Sequence, residues 1–266
     1  MIRDEHLVKR IEEFPRWHYQ FNLRGHVTPI FQEDHVNRHA QRKKHFFDPL
    51  VQWYGGSLQG KRLLDLGCNA GFWSLHAILA GCDYVLGVDG RRMHVEQANF
   101  VFEVYEVEPH RYKFLEDNIF NFTYEKYGPF DIVLCLGLFY HINRHVELLR
   151  SIKSLNPEVL IIDTSLTAMK GSFLELRKDD VSEPRMSTDY SLVYYPSAHA
   201  VLDLVQEFGF NVIMLKPLFD DFHGAEDYLS GHRRAFICSS EKSVSDFPGI
   251  VDHLQDLPYY KNGQVG

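Results

Sequence analysis

The sequence predicts an α/β fold with a doubly wound, mostly parallel sheet of seven strands. The first observation behind this prediction is a set of short, almost continuously apolar segments: residues 61–66, 84–88, 112–115, 130–136, 159–163, 211–215 and 235–238. The second is that helix-like stretches lie between them: residues 71–80, 92–105, 143–154 and 196–209. Strands that alternate with helices form parallel sheets covered on both faces, and such strands are apolar throughout.

The segments that flank these strands divide the chain of 266 residues. Residues 1–57 carry apolar stripes without the alternation of strands and turns, and we expect them to form an N-terminal helical cap. Residues 58–240 form the sheet domain, with an irregular insertion at 165–195 after the fifth strand. Residues 241–266 are polar and contain proline and glycine, so a loosely held C-terminal tail is expected.

The composition excludes several classes of protein. With 45% hydrophobic and 24% charged residues, the chain is neither disordered nor of low complexity. The net charge of −8 argues against broad, non-specific binding to nucleic acid. No apolar run suits a bilayer and no leader-like segment is present, which predicts a cytoplasmic protein without a membrane partner. The four cysteines lack metal-binding or redox spacing and are expected to be buried free thiols.

The turn after the first strand is the most informative segment. It has the spacing Gly67-x-x-x-Gly71, with Asp65 two residues before the first glycine. A carboxylate there would repel a dinucleotide's diphosphate but suits the ammonium and sulfonium groups of S-adenosylmethionine. A plain strand-to-helix turn with a chance aspartate is the alternative. The candidate cofactor contacts in this turn are Asp65, Gly67, Cys68, Asn69, Gly71 and Phe72.

Polar residues follow the next strands in register with this turn. Asp89 and Gly90 end the second strand, where an acid can accept ribose hydroxyls, although an ordinary helix N-cap is the alternative. Asn118 and Ile119 follow the third strand, where an amide and a backbone N–H could bind an adenine edge, although a polar turn is the alternative. Leu136 in the fourth strand completes the predicted cofactor site.

These motifs resemble those of class I S-adenosylmethionine-dependent methyltransferases over residues 58–238. The resemblance rests on the segments 64–71, 87–89 and 130–141. It implies a Rossmann-like sheet and S-adenosylmethionine as the cofactor. Asn69 stands where that family has a third glycine, and asparagine tolerates the same backbone conformation.

A narrower set of residues is similar in order to the tRNA wobble-uridine carboxymethyl transferases. The matching residues are Trp17, Phe21, Leu23, Gly25 and the segments 137–141, 194–198 and 232–234. In that family the matched tyrosine, here Tyr140, and an arginine, here Arg233 or Arg234, help to hold a carboxylated cofactor. The family's lysine after the tryptophan is absent, which favours ordinary methyl transfer.

Side chains at the end of the fourth strand are the candidates for chemistry. Tyr140 and His141 are expected at the edge where the methyl group projects, and His141 suits a general base. The alternative is that both pack beneath the cofactor. Further candidate substrate contacts are Trp17, Tyr140, Tyr194, Arg233 and Arg234.

Two further patterns of histidine and basic residues are not expected to form functional sites. His35-x-x-x-His39 and His141-x-x-x-His145 have metal-compatible helical spacing, but neither pair has the adjacent ligand that completes a known set, so no metal is expected. Arg42-Lys43-Lys44-His45 is interpreted as a solvated helix face, with a contact to a phosphate or carboxylate as the alternative.

The sequence thus favours a methyltransferase acting on an oxygen or nitrogen nucleophile of a small molecule. One alternative is a transferase that modifies the wobble uridine of tRNA, with a basic surface supplied by Arg24, Arg38, Arg42, Lys43 and Lys44. The other is a non-catalytic partner protein that binds S-adenosylmethionine. No pattern indicates an oligomeric state.

Overall fold

The computed structural model describes residues 4–121 and 123–261. The helices are α1 Asp4–Glu13, α2 Asp34–Arg42, α3 Asp48–Trp53, α4 Phe72–Leu79, α5 Arg92–Val104, α6 His145–Ser154, α7 Ala198–Glu207, α8 Glu226–Leu229 and α9 Pro258–Lys261. The strands are β1 Asn22–Leu23, β2 His26–Val27, β3 Arg62–Leu66, β4 Tyr84–Asp89, β5 Tyr112–Glu116, β6 Ile132–Leu136, β7 Val159–Ser165, β8 Leu174–Lys178, β9 Leu192–Pro196, β10 Asn211–Leu215, β11 Arg233–Ser239 and β12 Val251–Asp252.

The main sheet has the strand order β12-β10-β11-β7-β6-β3-β4-β5. Strands β3 to β7 pair in parallel, and β11 runs antiparallel to both β7 and β10. This is the Rossmann-like, mostly parallel α/β sheet that the sequence predicts. The strand order reverses between β3 and β6, and ligands of doubly wound sheets bind beyond the carboxyl ends of the strands at such a point.

The near-continuous apolar strands are explained by burial on both faces of the sheet. In β3, Leu63 belongs to the hydrophobic core on one face, while Leu64 and Leu66 belong to the core on the other. Successive side chains of a strand point to opposite faces, so a strand covered on both sides must be apolar at every position.

The N-terminal cap is less helical than expected. Helices α1, α2 and α3 form, and a π-helical turn at Lys43–Phe47 joins the last two. Between α1 and α2, however, the chain is irregular and includes the hairpin of β1 and β2. The fully buried Trp17 anchors this irregular stretch, and its backbone carbonyl accepts a 2.9 Å hydrogen bond from the Phe31 N–H.

The insertion and the tail are also more ordered than the sequence suggests. The insertion forms a hairpin of β8 and β9, joined by a covering loop (residues 179–191). Strand β12 adds an eighth strand to the sheet, and its Asp252 forms a buried 2.8 Å ion pair with Arg234. Residues 262–266 of the predicted tail lie outside the described residues. Within the described chain, no helix has the length and apolar character needed to cross a membrane.

Candidate active site

A cavity of about 430 Å³ opens at the carboxyl ends of the parallel strands, within the size range of small-molecule sites. Residues at the ends of β3, β4 and β6 form its floor, and the N-terminal cap forms one wall. Residues 184–190 of the covering loop also line the cavity, and the Arg185 guanidinium of this loop donates a 2.8 Å hydrogen bond to Gln32 of the cap. Of the residues predicted for the site, those that line the cavity are Gly67, Asn69, Asp89, Gly90, Asn118, Ile119, Leu136, Tyr140, His141 and Arg233.

The turn from β3 into α4 has the backbone that its sequence requires. Gly67 and Asn69 line the cavity with φ values of 71° and 49°, so the asparagine adopts the left-handed conformation in place of a third glycine. Gly71 has a φ of 77°, and a Cβ there would lie 3.1 Å from both Ala98 and Phe114. Gly71 therefore allows close helix packing and does not face the cavity.

Asp89 is held rigidly with its carboxylate at the cavity. Its Oδ2 accepts a 2.9 Å hydrogen bond from the Asn69 N–H, and its Oδ1 accepts one of 2.9 Å from the Arg91 N–H. The Nδ1 atom of His94 lies 3.0 Å from the same Oδ1. A carboxylate has about four acceptor positions, so about one remains for a hydroxyl group of a ligand.

Besides Gly71, three residues of the predicted cofactor turn do not line the cavity. Asp65 is buried and accepts a 2.8 Å hydrogen bond from the Ser74 hydroxyl. Burial raises the pKa of Asp65 to about 7, the Ser74 hydrogen bond opposes this shift, and the charge of Asp89 adds to it. Cys68 is also buried, and the Phe72 ring stacks on Tyr19 with a centroid distance of 4.6 Å. Asp65 thus does not present its carboxylate to the cavity directly.

The covering loop is tied to the strand ends by polar contacts. The Asn118 side-chain amide donates a short hydrogen bond to the Asp189 carboxylate. The Arg91 guanidinium donates to the Val181 and Glu183 carbonyls at 3.0 and 3.1 Å. These contacts bring the loop over the side of the cavity where Asp89 and Asn118 lie.

Tyr140 and His141 form a charged cluster with Asp179 of the covering loop. The His141 Nδ1 lies 2.5 Å from the Asp179 carboxylate, and the Tyr140 and His141 ring centroids are 3.9 Å apart. Burial disfavours ionisation of Tyr140, but the positive charges of His141 and Arg233 outweigh it and lower the pKa to about 7. Burial alone would lower the pKa of His141, but the Tyr140 phenolate and Asp179 raise it above its usual value.

Three of the arginines that line the cavity are Arg38, Arg42 and Arg233, and the last two are buried. The guanidinium groups of Arg42 and Arg233 both bind the Asp163 carboxylate, at 2.5 and 2.9 Å. Arg38 forms two 2.7 Å hydrogen bonds with Asp227. Three guanidinium groups thus face two carboxylates, and the charges of Arg233 and Arg38 add to that of His141 in lowering the pKa of Tyr140.

Three predicted substrate contacts lie away from the cavity. Arg234 follows Arg233 in β11, so its side chain points to the opposite face, where it pairs with Asp252. Trp17 is fully buried in the core and packs edge-on against Phe21, with ring centroids 5.8 Å apart. Tyr194 does not line the cavity, whereas its neighbour Tyr195 does, 5.1 Å from the Tyr140 ring.

The sequence interpretation missed other residues that line the cavity or contact the residues that do. Arg42 is buried and ion-paired, so its assignment to a solvated helix face was wrong. His18, His35 and His39 come together where no metal site was expected. The helical spacing of His35 and His39 indicated in the sequence that these two side chains lie together. No sequence pattern placed His18 beside them, because a loop brings it there. No sequence pattern indicated the contact of Asp179 with His141 either, since Asp179 belongs to the irregular insertion.

The family comparison agrees with this architecture. Residues 38–215, more than half of the chain, match the family model described as a methyltransferase domain. The chain belongs to this family of methyltransferase domains.

Curated relatives match over shorter segments. A tRNA U34 carboxymethyltransferase of Pseudomonas fluorescens is 34% identical over 100 residues, which are 36% of this chain and 29% of that protein. The chain spans between 27% and 63% of the length of the curated relatives it matches.

Solved structures share the fold at low identity. The N-terminal domain of EvdMO1, crystallised in the presence of SAH and D-fucose, has a TM-score of 0.67 at 18% identity, with 90% of this chain and 96% of that chain covered. Magnesium protoporphyrin IX methyltransferase from Synechocystis PCC 6803, with bound SAM, has a TM-score of 0.56 at 16% identity, covering 90% of this chain and 98% of that one.

Proposed function

We propose that this protein transfers the methyl group of S-adenosylmethionine to an oxygen or nitrogen atom of a small molecule. The observation that carries the proposal is that Asp89, Tyr140 and His141 face one cavity in a methyltransferase domain, with Asp179 paired to His141. Asp89 suits binding of the cofactor, and the pair of Tyr140 and His141 suits removal of a proton from the substrate.

The residues around Asp89 fit the nucleoside part of the cofactor. Its carboxylate, fixed by two backbone N–H groups, would accept a hydrogen bond from a ribose hydroxyl. Gly67 and Asn69 allow a ligand to approach the backbone of the turn, and Ile119 offers an apolar contact for a flat base. When bound, S-adenosylmethionine would supply a methyl group activated on a sulfonium.

Tyr140 is the group best suited to act as general base. A phenol with a pKa of about 7 is about half ionised at neutral pH, which is close to optimal for proton transfer. As the substrate oxygen or nitrogen forms its bond to the methyl carbon, Tyr140 would take the proton that the substrate loses. His141 then acts as a positioning residue, because its charge, supported by Asp179, keeps the phenolate form accessible.

The surface charges favour a small substrate over RNA. The five basic residues that could have formed an RNA-binding surface each form an ion pair: Arg24 with Glu106, Arg38 with Asp227, Arg42 with Asp163, Lys43 with Asp48 and Lys44 with Asp220. Paired cations contribute little to the phosphate attraction on which RNA binding depends. Closure of the cavity by the covering loop also suits a substrate of limited size.

A second candidate is the carboxymethylation of a tRNA uridine. Tyr140 and Arg233 line the cavity together, with the guanidinium carbon 5.4 Å from the ring centroid, as the resemblance to the wobble-uridine enzymes implies. That family has a lysine just after the tryptophan, whereas no lysine stands just after Trp17 here, and the neighbouring His18 lines the cavity. Burial lowers the pKa of His18 well below its usual value, so it offers no fixed charge for an additional carboxylate.

The cofactor assignment can be tested by calorimetric titration with S-adenosylhomocysteine. We expect Asp89→Asn to weaken binding by roughly 10- to 150-fold, the equivalent of about 1.5–3 kcal/mol for a hydrogen bond to a charged group. Asp83, exposed just before the other end of β4, provides the matched control. Asp83→Asn should bind as the wild type does. Equal affinity in a folded Asp89→Asn variant would contradict the assignment.

The substrate class can be tested by following the label from methyl-labelled S-adenosylmethionine in a cell extract. We expect radioactivity in the fraction of small solutes, resistant to ribonuclease. Label in ribonuclease-sensitive material, or a co-purified cofactor whose mass includes an extra carboxylate, would instead support the tRNA enzyme. Cofactor binding without label in either fraction would support the non-catalytic partner.

A further inference from the structure

The most unusual cluster outside the proposed transfer chemistry is a group of three histidines in the N-terminal cap. His35 and His39 lie one turn apart on α2, and His18 comes from the irregular stretch after α1. One candidate ligand nitrogen from each of the three lies within 4.8 Å of the other two. His39 is only 3% exposed, while His18 and His35 line the cavity.

The imidazoles lack the hydrogen bonds that buried polar groups normally make. In the described residues, the Nδ1 atoms of His18 and His35 and both ring nitrogens of His39 are buried without a partner. An unsatisfied buried donor or acceptor costs about 1–3 kcal/mol, so several at one place require an explanation. A bound cation that accepts the lone pairs of these nitrogen atoms would explain why they have no hydrogen-bond partner.

We infer that His18, His35 and His39 form a site for a divalent transition-metal ion of the zinc class, open towards the cavity. Three imidazole nitrogens are a ligand set for Zn²⁺, Co²⁺ or Ni²⁺, whereas Mg²⁺ and Ca²⁺ prefer oxygen ligands. Ligands about 2.1 Å from a tetrahedral zinc lie about 3.4 Å apart, so the nitrogen atoms, which lie within 4.8 Å of one another, need to approach by at most about 1.4 Å to close the site.

The backbone holds the three ligands in place. Helical spacing puts His35 and His39 on one face of α2. Trp17, fixed in the core and hydrogen-bonded to Phe31, positions the neighbouring His18 opposite that face. The guanidinium groups whose charges act on these histidines, those of Arg38, Arg42 and Arg185, are each paired with a carboxylate, which reduces their repulsion of a cation.

The position of the site also suggests a role, and this part depends on the proposed function. Because two of the ligands line the cavity, a fourth coordination position would face the substrate. A lone-pair donor on the substrate, such as a hydroxyl oxygen, could bind there, and the metal would lower the pKa of that hydroxyl.

The test is a titration of untagged, chelator-treated protein with Co²⁺, followed by the visible absorption of four-coordinate cobalt and displacement by Zn²⁺. We expect one equivalent to bind. Loss of an outer-shell partner already costs 10- to 100-fold in metal affinity, so removing one ligand in His35→Gln or His39→Gln should weaken binding at least about 100-fold. His110→Gln, which replaces an exposed histidine, is the matched control and should bind normally.

His35 is partly exposed, so His35→Gln remains informative if the buried His39→Gln variant fails to fold. Absence of Co²⁺ binding in the wild type, or unchanged binding in His35→Gln, would overturn the site. Binding abolished by His110→Gln would overturn it as well. Calorimetry with S-adenosylhomocysteine on the same samples separates the two proposals, because the nucleoside should still bind if only the metal site is wrong.

Discussion

An ionised tyrosine at neutral pH is the most distinctive physical consequence of this site. The pKa of Tyr140 is lowered to about 7, although burial opposes ionisation, because His141 and Arg233 lie beside the ring. Between pH 6 and 8, we therefore expect one tyrosine to gain the ultraviolet absorbance of tyrosinate. Its neighbour Tyr195, whose pKa is raised by burial to about 12, should remain protonated over that range.

The perturbation that tests this reasoning is His141→Gln. It removes the larger of the two attractive charges and leaves the cost of burial in place, so the Tyr140 pKa should rise by at least about two units. The phenolate fraction at pH 7 would then fall from about one half to about one hundredth, a 50-fold loss. If Tyr140 is the base, the rate of methyl transfer at pH 7 should fall by about the same factor and recover at higher pH.

The assay is a difference-absorbance pH titration, which needs no substrate. Tyr140→Phe should abolish the transition near pH 7, whereas Tyr195→Phe, the matched control from the same wall, should keep it. A wild-type protein that shows no tyrosinate below pH 9 would refute the electrostatic argument. A transition that survives in His141→Gln would refute the role given to His141.

Two further predictions concern stability. Asp163→Asn should reduce the free energy of unfolding, measured with urea, by about 3–5 kcal/mol because two buried guanidinium groups lose their counter-ion. Glu103→Gln, which breaks an exposed ion pair, should change the free energy of unfolding by less than about 1 kcal/mol. Equal losses of stability in Asp163→Asn and Glu103→Gln would contradict this account. The pKa of Asp163 is held well below its usual value, so its contribution is present above about pH 4 and is lost on acidification. Gly71→Ala should lower the melting temperature by several degrees. The left-handed backbone at this position disfavours a side chain, and the new methyl group would lie 3.1 Å from Ala98 and Phe114. An unchanged melting temperature would show that the turn relaxes to accommodate the methyl group.

Much of the cofactor side of the site could be predicted because it depends on local patterns. A buried parallel strand must be apolar, a tight turn must use residues that tolerate positive φ, and an acid at the end of β4 must reach the same sheet edge. The positions of Gly67, Asn69 and Asp89 on the cavity wall follow from these rules. Alternation along β11 likewise required that Arg233 and Arg234 face opposite ways, but not which one faces the cavity.

The sequence by itself thus determined the sheet, the turn and the strand-end acid, all of which arise from residues close together in the chain. Only the tertiary structure decided the charges and donors that surround the reacting groups. Asp179 is 38 positions from His141, and Arg42 is 121 positions from Asp163. Such pairs leave no periodic signal, because they depend on how the cap and the insertion fold onto the sheet. The same folding buries Trp17 in the core and brings His18 to the cavity in its place.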